Sequence, residues 1–283
     1  MSSQATPRSG SYEEFIRERR YLLGVTERTI GWYGEAFKWL VRYCPEEVTE
    51  AGLKACIIAM RQKCSPITVN GRIRVFKAYL KWADSPIKLN YLKEEQKEVR
   101  VFKLEEVKRL LAYRPKGRNE QRVKVLFTLL IDCGLRLEES LCVRVEDLDW
   151  DNLLVKVKGK GNKERLVPIS FECRKVLFLY TRDRRDYVFA TGTGTRLSRR
   201  NALRDFKNLC KQAGVVPPSR ALHAVRHTFS VNYLRQGGNI YYLGRVLGHN
   251  SGVRTTEIYL RAVGVDALSA VHQGLSILGR PGT

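Results

Sequence analysis

Apolar residues recur at three- and four-residue spacing from Ser11 to about Ala83. The series runs Phe15 and Leu22; then Tyr33, Ala36, Phe37, Leu40 and Val41. It continues with Leu53, Cys56, Ile57 and Met60, and ends with Ile73, Phe76, Leu80 and Ala83. That is the period of helices burying one face, and it predicts four helices packed as a bundle with its own core. Thr26, Thr49 and Ser65 stand where N-caps are needed, and Pro66 falls at a first helical position, where its missing N–H is not used. Asp84-Ser85-Pro86 stops the fourth helix. The charged, weakly periodic stretch that follows makes 85–100 an interdomain linker, and the small, polar residues 1–10 read as disordered.

The remainder carries a different pattern. Helices are expected over Lys103–Ala112, over Arg122–Asp132 ending at Gly134, and over Glu138–Val143, with Pro115–Glu120 as a turn. Leu153–Lys158 then alternates apolar and basic positions. Gly159–Lys163 is a turn, and Leu166-Val167-Pro168-Ile169 returns, which is a hairpin with Lys160 at its tip. Val188-Phe189 adds a short strand, and from Ser198 onward the period is helical again. The fold class is mainly α with a small β-sheet (α+β). A helical bundle over 11–84 precedes a second domain over 101–265 and a tail over 266–283.

Charge narrows the function. The 283 residues carry 51 Lys and Arg against 29 Asp and Glu, a net charge of +22. Such a balance points to a polyanionic partner, with nucleic acid foremost; a solvated basic surface is the bland alternative. The 43% apolar content excludes a disordered basic tail. The apolar stretch around Leu126–Ile131 stops at Asp132, far short of a membrane span, and the N-terminus lacks a signal-peptide apolar region. The seven cysteines form no CxxC pair and read as buried free thiols in a reducing cytoplasm.

Several residues could carry chemistry, though each alone has an ordinary reading as a surface or core residue. His223 and His227 have the i, i+4 spacing of a zinc-protease helix, but Ala224 stands where that motif needs its glutamate, so no metal is expected. Arginines such as Arg136 and Arg226 present forked cations that keep their charge at neutral pH and suit an anionic group. A phenol, with its pKa near ~10, becomes a nucleophile only beside a base or in cationic surroundings. His223 is the residue expected to accept the phenol's proton, since histidine titrates in the right range.

The order of motifs is more specific. GLRLEE (134–139), GKGNKERLVPI (159–169), LHAVRHTF (222–229), LGH (247–249) and TTEIYLR (255–261) follow one another. This resembles the tyrosine site-specific recombinases, especially the Xer-like integrase group, over about Val101–Leu268. The first helical block is similar to that family's core-binding domain. The resemblance implies Tyr259 as nucleophile, Arg136 and Arg226 as phosphate clamp, and Lys160 as general acid. It also implies His223 and His249 in the site, with Glu139 as supporting acid. The expected reaction cuts and rejoins duplex DNA through a 3′-phosphotyrosyl link and a Holliday junction, without ATP, metal or other cofactor. The expected assembly is a homotetramer on DNA built from monomers, with the apolar tail docked in a neighbouring subunit. A partner recombinase or directionality factor is compatible with this. With no arm-binding domain ahead of Ser11, a simple recombinase is expected. His249 and Tyr259 stand ten positions apart, one more than the resemblance implies, with Gly252 placed to absorb the extra residue.

DNA contact is expected from Arg74, Lys77 and Lys81 on the fourth helix, and from Arg199, Arg200, Arg204, Lys207 and Lys211 further on. Two alternatives stay open from sequence: an inactive DNA-binding regulator, and a topoisomerase-like enzyme that nicks and reseals one strand.

Overall fold

The structure, a computed structural model, describes residues 11–94, 99–159, 163–248 and 254–263. The chain divides into two compact units, Met1–Lys97 and Glu98–Thr283.

The first unit holds α1 (Tyr12–Tyr21), α2 (Glu27–Tyr43), α3 (Glu50–Lys63) and α4 (Pro66–Trp82). Thr49 and Ser65 accept capping bonds from Gly52 N and Thr68 N, whereas the Thr26 hydroxyl at the N-cap of α2 meets the Thr29 hydroxyl (3.1 Å) and caps no backbone N–H. Phe15 is fully buried among Tyr33, Phe37, Tyr79 and Trp82, with ring centroids 5.5–5.9 Å away.

α4 is buried on a wider front than its period suggests. Besides Ile73, Phe76 and Leu80, it buries Val69, Asn70 and Val75. The segment expected to be an interdomain linker meets part of that front. Ile87, Leu89 and Leu92 pack on the bundle core. Asn70 donates to Leu92 O (2.9 Å) and accepts from Leu92 N (2.8 Å), while Lys77 donates to Leu89 O (2.9 Å). The segment is thus held through its backbone at Leu89 and Leu92 and through the side chains of Ile87, Leu89 and Leu92.

The second unit is built around α6 (Arg118–Cys133), which begins inside the expected turn and buries Val123, Val125, Leu126, Phe127, Leu129 and Leu130. It packs against α8 (Phe171–Thr181), α9 (Arg199–Gln212) and α10 (Ala221–Arg235). α5 (Leu104–Ala112) and α7 (Leu137–Cys142) flank it, and α11 (Ile240–Leu247) and α12 (Arg254–Glu257) follow. The sheet is antiparallel, in the order β1 (Leu148–Asp149), β2 (Leu154–Lys158), β3 (Glu164–Pro168). Val155 pairs with Val167 and Val157 with Arg165, so Arg165 stands on the inward face while Leu166 is exposed.

Other expectations change. α8 and β1 were not foreseen. Val188 and Phe189 are fully buried but form no strand; only isolated bridges, Arg144–Tyr187 and Ala190–Arg196, lie beside them. Five cysteines are buried, but Cys64 is half-buried and Cys142 exposed. Residues 1–10 and the tail lie outside the described residues. No described helix is long and apolar enough to cross a membrane.

Asn70→Ala leaves the Leu92 backbone without its partners, and should destabilise the protein by about 1–3 kcal/mol. Urea denaturation reads the loss, and limited proteolysis should show faster cutting between residues 85 and 94.

Candidate active site

α6 ends at Gly134, whose φ of +61° suits glycine, and a Cβ there would run into the Phe229 ring. The turn delivers Arg136 to the start of α7. There Arg136 N donates to Glu139 Oε2 (2.9 Å), a helix-start bond to the residue three positions on. Arg136 Nη1 donates to Glu139 Oε1 (2.9 Å) and to Leu247 O (3.2 Å).

Glu139 has a side chain only 6% exposed, so its charge must be answered locally. Arg165 does so from β3 with two parallel bonds, Nη1 to Oε1 (3.2 Å) and Nη2 to Oε2 (2.8 Å). Burial pushes the Glu139 carboxyl up, but the bonds from Arg165 and Arg136 outweigh it and hold the pKa below the ordinary value. Arg165 Nε also donates to Val246 O (3.0 Å).

α10 supplies Arg226, 3% exposed. Its Nη1 donates to Gly134 O (2.8 Å) and its Nη2 to Leu247 O (2.9 Å). The carbonyl end of α11 is therefore gathered by three guanidiniums, which suits the partial negative charge of a helix C-terminus. Gly248 closes that helix at φ +66°, and a Cβ there would lie 2.8 Å from Arg165 Cζ. Burial, then the charge of Arg136, lowers the Arg226 pKa to about 10, so it remains cationic at neutral pH.

Beside these groups lies a cleft of about 640 Å³, lined by Arg136, Arg199, Arg220, His223 and Arg226, with Glu138 as its carboxylate. Desolvation of the His223 ring lowers its pKa, and the nearby Arg226, Arg220, Arg136 and Arg199 lower it further, although the residue as a whole keeps solvent access.

Tyr259 is 2% exposed and packs with Val231, Leu234, Leu243, Leu247 and Val263. Arg235 at the end of α10 donates to Ala262 O (3.2 Å), tying the tyrosine segment to that helix. The phenol does not meet His223. Its Oη lies 3.1 Å from His227 Nδ1. The His223 ring instead sits edge-on to the His227 ring, with centroids 4.4 Å apart. Burial, then His223, Arg226 and Arg220, push the His227 pKa down to about 4.

The structure thus brings together Arg136, Glu139, His223, Arg226 and Tyr259. Lys160 and His249 lie outside the described residues, as do Asn250–Val253 of the longer loop. Sequence reasoning missed Arg165, Arg220 and His227. The signal for Arg165 was its inward place in the alternation of β3; for His227 it was a second histidine on the His223 face.

Among the residues expected to touch DNA, Arg199 joins the cleft, and Arg74, Lys81, Arg200, Lys207 and Lys211 are exposed. Two have internal commitments. Lys77 is bonded to Leu89 O and lies 4.7 Å from the Tyr91 ring centroid. Arg204 donates through Nε and Nη2 to Asp205 Oδ1 (3.1 and 3.0 Å), a buried carboxylate also held by Arg122. Among the described residues no His, Cys, Asp and Glu side chains cluster to hold a metal ion.

Two stability predictions follow from these charges. Arg165→Ala leaves buried Glu139 with half its donors and should cost about 3–5 kcal/mol in chemical denaturation. His227 binds a proton near its ordinary pKa of 6.5 when unfolded, but only near 4 when folded. Unfolding therefore takes up a proton between these values, and stability should fall as pH drops from 6.5 towards 4. Urea midpoints at pH 7 and pH 5 should differ less in His227→Asn than in the parent protein.

Residues 100–263 match the sequence model of the Phage integrase family. Tyrosine recombinase XerA of Saccharolobus solfataricus is 26% identical, over 91% of this chain and 90% of its own. The fold resembles the Tn1549 transposon integrase in complex with a circular intermediate DNA, with TM-score 0.75 and 19% identity over 93% of this chain and 98% of that one. It also resembles XerH site-specific recombinase bound to palindromic difH substrate in a post-cleavage complex, with TM-score 0.70 and 17% identity over 95% of this chain and 84% of the other. With more than half its length matched, the chain belongs to the Phage integrase family, the tyrosine recombinases.

Proposed function

We propose that this protein is a site-specific DNA recombinase that cuts and rejoins duplex DNA through a 3′-phosphotyrosyl bond to Tyr259, exchanging strands by way of a Holliday junction. The observation that carries this reading is the convergence of Arg136 and Arg226 on one carbonyl, Leu247 O, in a unit that also seats Tyr259. Two guanidiniums held that closely are a preorganised anion clamp. Their cost is met in folding rather than during reaction, and their forked donors suit the charge that grows on nonbridging phosphate oxygens.

The roles divide by chemistry. Tyr259 attacks the phosphorus and displaces the 5′ oxygen. The link keeps the energy of the broken phosphodiester, so rejoining requires neither ATP nor a metal ion. Lys160 protonates the leaving oxygen, His223 and His249 contact the phosphate, and Glu139 fixes Arg136. Arg199 and Arg220 extend the basic lining toward the neighbouring backbone. The net charge of +22 supplies attraction along the duplex, and affinity should fall steeply with salt. The DNA-bound relatives support a DNA substrate. The active form is a homotetramer joining two short sites in the cytoplasm, at the nucleoid, with a partner recombinase or directionality factor compatible with that assembly.

The test is trapping on a nicked suicide duplex whose site comes from a random-pool selection. The parent protein should form a covalent adduct on denaturing gels, and Tyr259→Phe none. Arg136→Ala and Arg226→Ala should each slow adduct formation by about 10²–10³-fold. An adduct that persists in Tyr259→Phe would overturn the assignment.

A further inference from the structure

We propose that His227, rather than His223, is the catalytic residue that holds the Tyr259 phenol and receives its proton during attack. This deepens the proposed function and rests on Tyr259 being the nucleophile.

The geometry is direct. His227 Nδ1 lies 3.1 Å from Tyr259 Oη, and it is the hydrogen-bond partner of that oxygen among the described residues. His227 follows Arg226 on α10, so one helix carries both an arm of the phosphate clamp and the acceptor for the nucleophile. Arg235 of the same helix fixes the tyrosine segment through Ala262 O. His223 is turned toward the cleft and the arginines, a position suited to a phosphate contact.

For Nδ1 to accept, the ring proton must sit on Nε2. The surroundings keep the imidazole neutral before substrate arrives: the site is desolvated, and His223, Arg226 and Arg220 face it with positive or potentially positive charge. A ring so disfavoured as a cation is a poor base in the free protein. A phosphodiester between Arg136 and Arg226 brings a negative charge into the same neighbourhood and offsets those cations, which restores basicity. The acceptor therefore becomes competent as the target binds. In the step, the Tyr259 O–H bond breaks and its proton passes to His227 Nδ1. The phenolic oxygen forms the O–P bond, the P–O5′ bond breaks, and the leaving oxygen takes a proton from Lys160. Rejoining reverses each transfer.

The experiment is single-turnover cleavage of the same nicked duplex by the full-length protein and by His227→Ala and His227→Asn. DNA affinity and thermal melting are measured alongside. Both variants should bind normally and cleave at least about 10²-fold more slowly. Added imidazole should restore part of the rate in His227→Ala, increasingly as pH rises through the pKa of imidazole. Asn keeps a polar contact but takes no proton, and should lack the acidic limb of the parent pH profile. If His227→Ala fails to fold, that profile decides the matter. Cleavage at the parent rate by either variant, a slow His227→Ala that imidazole leaves unchanged, or an acidic limb retained in His227→Asn would overturn the proposal. Tyr259→Phe separates the two readings. An adduct there removes the nucleophile assignment, whereas its loss there alongside normal His227 variants removes only the role of His227.

Discussion

Glu139 keeps its negative charge inside the protein, and much of the second unit is arranged around answering it. A buried carboxylate left alone costs several kcal/mol. Here it collects four N–H donors, from the Arg136 backbone, the Arg136 guanidinium and both ends of Arg165. Those donors come from the start of α7 and from the middle of β3. Their remaining N–H groups reach Val246 O and Leu247 O at the end of α11. Segments far apart in sequence are thereby pinned at one point, with tolerances set by hydrogen-bond length rather than by apolar contact alone.

The neighbourhood of this point is deliberately unbalanced. Away from the cleft, Arg122 and Asp205 form a buried pair in which each charge meets its opposite. Around the cleft, Arg136, Arg199, Arg220 and Arg226 share the lining with Glu138, and of these four Arg136 is bonded to Glu139. Burial first, and the neighbouring cations after it, disfavour the cationic forms of Arg226, His223 and His227. Such a site is held against repulsion by the rest of the fold, and any anion that enters relieves it. Packing density elsewhere, as in the α6 core, supplies the stability that lets this region stay strained in charge.

Much of the fold was legible because helices that bury one face leave a period in the sequence, as in α2, α3 and the first half of α4. The failures have physical causes. α8 exposes Phe171, Phe178 and Leu179 while burying Cys173, Leu177 and Thr181, so its apolar residues do not mark its inner face. Val188 and Phe189 are buried without a ladder, and burial alone imitates a strand. Ile87, Leu89 and Leu92 reach the core from outside any helix and so carry no helical period. At the site, charge and motif order pointed to Arg136, Glu139, Arg226 and Tyr259. Sequence placed His223 and His227 on one face but could not say which meets the phenol, because that depends on where residues 254–263 fold back.

α10 has a consequence for how such a site can change over evolutionary time. Each residue advances a helix by about 100°. His223, Arg226 and His227 share one face only in their present register, and Arg235 reaches Ala262 from the same rod. A one-residue insertion or deletion between His223 and Arg226 would turn His223 about 100° away from Arg226 and His227. Arg165 and Arg136 arrive on separate elements, β3 and the start of α7, so a change of length in one leaves the other in place. The helix is thus inherited as a block, while the segments around it can change length independently.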